Sequence, residues 1–361
     1  MDPKAIERAW RAMWMRTLAR ALPGPRDVKP SSFDASALRT LFVRYERIGD
    51  MIMATGLIRV LAQASDRGKV DVVANPSTKP VLDNNPHVGK VFVLDRKSRF
   101  SYLKLMRALR KERYQVIVDG RINNPPIFTS TPMLMAAARA PYRIGVGGGN
   151  NDLIYNVRVQ QYDRSVPYIE GSKALSLPFG VDPNAVDWQP QIFLSPAERE
   201  VADAQWKRAT SGAYSGTRLL VNLSASEAKR RWPDERFMEV LSRARRIAPS
   251  LPMIVIGLPS EWDSVRRVAE SVRARPVETP DLRQALALVG TSGMVFTPDT
   301  SISHAASAFR KPAVVLLKRE HHPYAPYKIP GENIFWDGNE ITTLPVEIVS
   351  DAVERLIVTN R

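Results

Sequence analysis

At 361 residues the chain exceeds one typical hydrophobic core, so two domains are expected. The absence of Cys excludes disulfides, thiolate metal sites and Cys nucleophiles, and the four His (His87, His304, His321 and His322) lack the paired spacing of a zinc site. A net charge of +15 favours polyanionic partners such as nucleic acid, lipid head groups or a phosphorylated substrate, although a basic surface kept for solubility gives the same excess.

The first expected element is a helix over 4–22. Ile6, Trp10, Met13, Trp14 and Ala21 share one arc at helical spacing, and Leu18 and Leu22 widen it. Arg8, Arg16 and Arg20 lie elsewhere, with Arg11 at the edge. A basic amphipathic helix with two Trp suits an anionic membrane surface; docking on its own domain or on a second copy is the alternative. The Pro- and Ser-rich stretch 23–32 ends this arm.

Strand and helix patterns then alternate. Strands are expected over 40–45, 70–74, 90–94, 115–119 and 143–146, and helices over 50–64, 78–84, 102–111, 129–138 and 165–175. Such a series predicts a mainly parallel sheet with helices on both faces. The Pro-bearing stretch 176–196 has no helical period and is expected to link the domains. A second series follows, with strands over 218–223, 253–256, 293–297 and 313–317. Its helices are expected over 234–247, 261–273, 281–289 and 301–309, and a last helix over 345–358.

This organisation predicts an α/β protein of two Rossmann-like domains facing one cleft. Its parts are an arm and linker (1–37), a first domain (38–175), a linker (176–196), a second domain (197–342) and a final helix (343–361). No segment reaches the ~20 apolar residues of a membrane span. The amino terminus lacks the apolar core and cleavage site of a signal peptide, so a cytoplasmic location is expected. No helix-turn-helix, RNA-recognition or zinc-finger signature stands out, so nucleic acid is not the expected partner.

Two loops carry the chemistry. The first follows the strand of 40–45 and holds Arg47, Ile48, Gly49 and Asp50. Gly49 permits a tight turn and close ligand approach. Asp50 sits at a helix amino terminus, either as a cap or as a general base on a substrate hydroxyl. The second follows the strand of 293–297. Asp299 and Thr300 end the strand, and Thr300, Ser301, Ile302 and Ser303 form a helix start whose N–H groups suit a phosphate. His304 on the same turn can donate to a phosphate or hydroxyl. Capping by Asp299 or Thr300, with His304 merely packed, is the alternative.

The turn 224–234 places Lys229, Arg230 and Arg231 before Trp232 and Pro233, where cations can neutralise a diphosphate. After the strand of 253–256, Glu261 can accept hydrogen bonds from ribose hydroxyls or serve as an ordinary first-turn Glu. Gly147, Gly148 and Gly149 do not form a dinucleotide fingerprint after a first strand, so a dehydrogenase is not indicated and no cofactor is expected.

The ordered set I-G-D-M-I-M-A-T-G-L-I-R-V-L (48–61), V-L-D-N-N-P-H-V-G-K-V-F-V-L-D (81–95), R-I-G-V (143–146), A-K-R-R-W-P (228–233) and P-D-T-S-I-S-H-A-A-S-A-F-R-K-P (298–312) resembles the ADP-heptose:lipopolysaccharide heptosyltransferases, family nine of the glycosyltransferases, over roughly 38–340. The resemblance implies a GT-B fold and an inverting sugar transfer from a nucleotide diphosphate donor without a required metal. It makes the first domain the acceptor domain and the second the donor domain. It also implies that Asp50 is the base, and that Lys229, Arg230, Glu261, Asp299, Thr300, Ser301 and His304 serve the donor. Three features depart from the family pattern. Ser301 stands where Gly is usual, Arg230 stands where Lys is usual with Lys229 beside it, and the amphipathic arm lies outside the resemblance. The expected activity is transfer of a heptose to a lipopolysaccharide-core or lipid-linked acceptor. Transfer of another sugar for O-antigen or capsule assembly, and an inactive nucleotide-sugar-binding assembly partner, are the alternatives.

Overall fold

The computed structural model describes residues 3–122, 130–160, 163, 165–210, 216–225 and 227–360. It divides into two compact units, Met1–Trp188 and Gln189–Arg361.

Unit 1 begins with α1 (Pro3–Ala21), followed by β1 (Thr40–Val43), α2 (Ile48–Gln63), β2 (Val70–Ala74), β3 (Val88–Val93) and α3 (Arg99–Glu112). Next come β4 (Val116–Asp119), α4 (Ser130–Ala138), β5 (Tyr142–Val146), β6 (Val157–Val159) and α5 (Tyr168–Ser172). The strands form a parallel sheet in the order β3-β2-β1-β4-β5-β6. Thr40-Leu41-Phe42-Val43 and Val116-Ile117-Val118-Asp119 are wholly buried, as central strands covered on both faces must be. Strand order reverses between β1 and β4, and the crevice past their carboxyl ends is where ligands of such sheets bind.

Unit 2 comprises α6 (Pro196–Arg208), β7 (Leu219–Asn222), α7 (Asp234–Ile247), β8 (Met253–Ile256), α8 (Trp262–Ser271), β9 (Arg275–Pro276) and α9 (Leu282–Thr291). It continues through β10 (Met294–Pro298), α10 (Ser301–Ala308), β11 (Ala313–Lys318), β12 (Gly331–Trp336) and α11 (Val346–Thr359). Its parallel sheet runs β12-β11-β10-β7-β8-β9, the same winding read from the other edge. The switch point here lies between β7 and β10. The final helix packs on α7, inside this unit.

Several details differ from the sequence expectations. Residues 78–84 form only a short 3-10 turn, Lys79–Leu82, which ends where Asp83 becomes extended and Asn84 takes a φ of 62°. The helix expected over 165–175 is a single turn, α5, running into a 3-10 segment, Lys173–Phe179, that contains Pro178. Thr129, the expected start of the fourth helix, lies outside the described residues. Three short or edge strands (β6, β9 and β12) and the whole of α6 were not expected. Ser195 and Glu198 close a capping box on α6.

The arm docks on its own unit through one side and leaves part of the expected apolar arc exposed. Met15 is buried, and Ala19 and Leu22 pack beside it on the core formed with Leu105, Leu109, Leu134 and Met135. Trp10 and Met13, both of the predicted apolar arc, are 55% and 58% exposed. The Ile6, Arg8 and Arg11 side chains of that pattern lie outside the described side chains. No helix of the described residues is long and apolar enough to cross a membrane.

Candidate active site

In unit 1 the loop after β1 and the loop after β4 carry a chain of charges. Arg44 is buried, and its Nη2 lies 3.1 Å from Asp50 Oδ2. Its Nε is 3.6 Å from Glu46 Oε2, and its guanidinium stacks 5.4 Å from the Tyr168 ring centroid. Glu46 Oε1 in turn is 3.7 Å from Arg121 Nε, and Arg121 pairs with the fully buried Asp119. Tyr155 donates to Asp119 Oδ2 at 2.6 Å. Burial opposes the charge on Arg44, but Tyr168, Asp50, Glu46 and Asp119 outweigh it and hold its pKa above the ordinary value. Burial likewise works against Asp119, yet Arg121 and Tyr155 keep its carboxyl pKa below the usual range.

Asp50 occupies the third position of α2, and Arg47 holds the N-cap position without a side-chain cap bond. Asp50 is therefore held by Arg44, not spent as a cap. Arg47 is exposed. Gly49 lies in the first helical turn and is not among the residues with positive φ, so it supplies an absence of side chain instead of the tight turn expected.

In unit 2 the basic trio separates. Lys229 is 56% exposed and pairs with Glu227 at 3.0 Å. Arg230 turns inward, 3.7 Å from Asp299 Oδ2. Arg231 bonds Asp234 at 2.8 Å and Glu261 at 3.2 Å. The turn is pinned by Trp232, which is fully buried with its ring centroid 5.2 Å from Phe237 and 6.4 Å from Phe296. Pro233 is the N-cap of α7, one residue before the expected first helical position.

Past β10, Thr300 caps α10 by accepting from Ile302 N at 3.2 Å. Asn222 at the end of β7 donates to Thr297 at 2.9 Å, tying the two switch-point strands together. Ser303 is buried and its hydroxyl donates to Thr300 O, which turns it away from a ligand. Ser301 stays partly exposed at the helix start, while His304 is buried on α10.

Asp299 is not a cap. It accepts from His321 Nδ1 at 2.8 Å, and His321 Nε2 lies 3.5 Å from Arg230 Nη2. These partners favour the tautomer with its proton on Nδ1. Glu261 accepts from Ser224 Oγ at 2.7 Å and from Leu258 N at 3.0 Å. A Cβ at Gly257 would lie 2.7 Å from Val265 and 3.3 Å from Glu261, so this close loop requires glycine. Asp299, Thr300, Ser301, Arg230 and His321 thus gather at the switch point, with Glu261 joined through Ser224 and Arg231. Lys229 stands outside this group.

Sequence reasoning did not single out Arg44, Glu46, Asp119, Arg121, Ser224 or His321 for the site. Charged residues at or just past the carboxyl ends of parallel strands were the available signal for the first four. Among the described residues, no group of three or more His, Cys, Asp and Glu side chains could hold a metal ion.

Two doubly wound parallel units, one with a carboxylate held by a buried cation and one with cations beside a helix start, define a two-domain glycosyltransferase-type fold. The chain belongs to glycosyltransferase family 9 (heptosyltransferase), whose model matches residues 102–333, and it is a glycosyltransferase. It is 22% identical over 307 residues to lipopolysaccharide heptosyltransferase 2 of Escherichia coli K12, covering 80% of this chain and 85% of that one. It is 22% identical over 298 residues to the lipopolysaccharide core heptosyltransferase OpsX of Haemophilus influenzae, covering 79% and 80%. The fold is that of a family 9 glycosyltransferase from Veillonella parvula (TM-score 0.77, 17% identity, 91% of this chain and 99% of that one). It is also that of E. coli heptosyltransferase WaaC solved with ADP (TM-score 0.69, 16% identity, 88% and 100%).

Proposed function

We propose that the protein is an inverting, metal-independent heptosyltransferase. In this reading it moves heptose from ADP-heptose to a lipopolysaccharide-core acceptor at the inner face of the bacterial membrane. The observation that carries the reading is the pairing of Asp50 with buried Arg44, which fixes a partly exposed carboxylate in the first helical turn. Asp50 takes the proton of the acceptor hydroxyl as its oxygen bonds the anomeric carbon. The bond from that carbon to the diphosphate oxygen breaks, and ADP leaves with the electron pair. Inversion follows from attack opposite the leaving group.

The leaving diphosphate needs positive charge aimed at it, the role a metal plays in other transferases. Arg230 and the Ser301 N–H at the start of α10 supply it, with Lys229, expected from the resemblance to serve the donor, at the rim of the turn. Asp299, Thr300 and His304 build the donor turn, Glu261 receives ribose hydroxyls, and Arg47 and Gly49 belong to the acceptor loop. No cofactor takes part, and nucleic acid is not a partner. The heptosyltransferase relatives named above support both donor and acceptor.

Ser301 favours a second reading, transfer from another nucleotide sugar, because its side chain stands at the phosphate-facing start of α10. An inactive binding partner fits less well, since the Arg44–Asp50 pair has no use in donor binding. Calorimetry with ADP, UDP, GDP and their sugar conjugates, with and without chelator, tests the reading. ADP-heptose should bind tightest and chelator should change nothing. Preference for another base, or loss of binding and turnover in chelator, contradicts it.

A further inference from the structure

The helix layer of unit 1 carries a surface that the sugar-transfer reading does not use. Helices α1 and α3 flank α4 on one face of the sheet, and all three feed one core. Buried Leu105 and Leu109 turn α3 inward, which points Phe100, Leu103, Lys104, Arg107, Arg110 and Lys111 away from the sheet. Phe100 is 83% exposed and Leu103 is 47% exposed. On α1 the same spacing, aromatic then aliphatic three residues later, brings Trp10 and Met13 outward in the same layer, with Arg16 and Arg20 exposed beyond them.

The charges on this face are one-sided. Arg99, Lys104, Arg107, Arg110 and Lys111 have no ion-pair partner among the described residues. Glu112, the acid of α3, is already taken by Arg39 and Lys90. Beside α3, the edge strand β3 leaves an open groove of about 1060 Å³ with Phe100 and Leu103 on its apolar wall, where Lys104, Arg107 and Lys111 outnumber Asp95 and Glu112.

We propose that the outer face of α3, with Trp10 and Met13 of α1 also exposed in this helix layer, docks on an anionic phospholipid bilayer. Exposed aromatic and aliphatic side chains at the centre of a cationic face match the boundary between head groups and acyl chains. The groove along β3 offers an acyl chain an apolar wall next to cations for its phosphate. A second copy on this face would set Lys and Arg against Lys and Arg across a two-fold axis, which repels. Nucleic acid would use the cations and leave Phe100 and Leu103 idle. The proposal deepens the peripheral-membrane part of the function above and rests on it for its biological use. An enzyme docked through the outside of unit 1 shares a plane with a lipid-anchored acceptor.

The test is co-sedimentation of the full-length protein with vesicles of phosphatidylglycerol and phosphatidylethanolamine, against phosphatidylcholine alone. The wild type should bind the anionic vesicles, ignore the neutral ones and be released by salt. Each cation is worth about fivefold in partitioning at such a surface, so replacing Lys104, Arg107, Arg110 and Lys111 by Gln should weaken binding at least a hundredfold. Phe100→Ser with Leu103→Ser should weaken it further at fixed salt. Lys104→Arg with Lys111→Arg should keep binding, which guards against a fold defect in the neutral variant. Unchanged melting and unchanged ADP affinity in all variants separate this surface from the donor site. Failure of wild-type protein to bind anionic vesicles, or equal binding by the neutral variant, overturns the docking face while leaving the enzyme reading intact. A dimer that the Gln variant abolishes, or DNA that displaces the vesicles through the same cations without need of Phe100 and Leu103, overturns it as well.

Discussion

Arg44 Nη2 stands 3.1 Å from Asp50 Oδ2, and Arg44 is nearly inaccessible to solvent whereas Asp50 is partly exposed. A buried cation holding a partly exposed carboxylate in one rotamer presents that carboxylate to a ligand. Asp50→Asn keeps the shape and removes the proton acceptor, so kcat should fall about 10²–10⁴-fold with nucleotide affinity unchanged. Arg44→Met should also lower kcat, and should lower stability because Asp50 and Glu46 lose their buried partner. Steady-state kinetics with urea unfolding separates the two effects. Near-normal turnover in Asp50→Asn would remove it from the chemistry.

Arg230 and Lys229 should differ in their contribution to donor binding. Arg230 is inward, beside Asp299 and His321, whereas Lys229 is solvated and neutralised by Glu227. Arg230→Ala should weaken ADP binding by about 1–3 kcal/mol, the worth of a charge-assisted hydrogen bond. Lys229→Ala should cost less than about 1 kcal/mol, as an exposed paired charge does. Calorimetric titration of ADP decides, and equal losses would mean that Lys229 swings inward when the donor binds.

Trp232 anchors this turn through the core. Its ring meets Phe237 and Phe296 edge-on, with interplanar angles of 82° and 83°. Trp232→Ala should lower stability by about 3–5 kcal/mol, the usual cost of emptying a buried aromatic site. It should weaken ADP binding too, because Arg230 and Arg231 lose their anchor. A melting curve and an ADP titration on one preparation check both.

A pH dependence of stability follows from Glu198. Hydrogen bonds from Arg283, outweighing burial, bring its carboxyl pKa down from 4.5 to about 2, with Ser195 adding to the effect. A depressed carboxylate pKa stabilises the fold above its unfolded value, and that stability is lost as pH falls through the folded value. The contribution of Glu198 is therefore complete above about pH 4.5 and disappears toward about pH 2. Urea midpoints measured across this window should fall more steeply for the wild type than for Glu198→Gln. Parallel curves would show that the Arg283 contact is solvated away.

Much of the architecture was legible because it is local. Continuous apolar runs such as Met253-Ile254-Val255-Ile256 gave the central strands, and turn residues gave most helix starts. The missed helix α6 had a readable signal, since Ser195 and Glu198 stand at capping-box spacing before an apolar-spaced segment. The edge strand β12 carries exposed Gly331 and Asn333 positions around a half-buried Glu332 and lacks the buried run of a central strand.

The site was only half legible. Asp50, Asp299 and Thr300 could be found as residues following strands. The pairing of Asp299 with His321, 22 positions away, and of Glu261 with Ser224, 37 away, depends on strand order and not on spacing. The arm shows the limit of periodicity. The core took Met15 and Ala19 of the helix and Leu22 just past its end, leaving Trp10 and Met13 of the stronger-looking arc outside. Removal of the arm should therefore destabilise unit 1, because Met15 belongs to its core.

The central claim is tested most directly by mass spectrometry of one reaction. Purified protein is incubated with ADP-heptose and lipopolysaccharide that lacks its core heptoses. The account predicts an acceptor heavier by one heptose, an equal amount of free ADP and an inverted anomeric linkage, all undiminished by chelator and abolished or nearly so in Asp50→Asn. An acceptor of unchanged mass with no ADP released, or a product that Asp50→Asn forms as fast as the wild type, would contradict it.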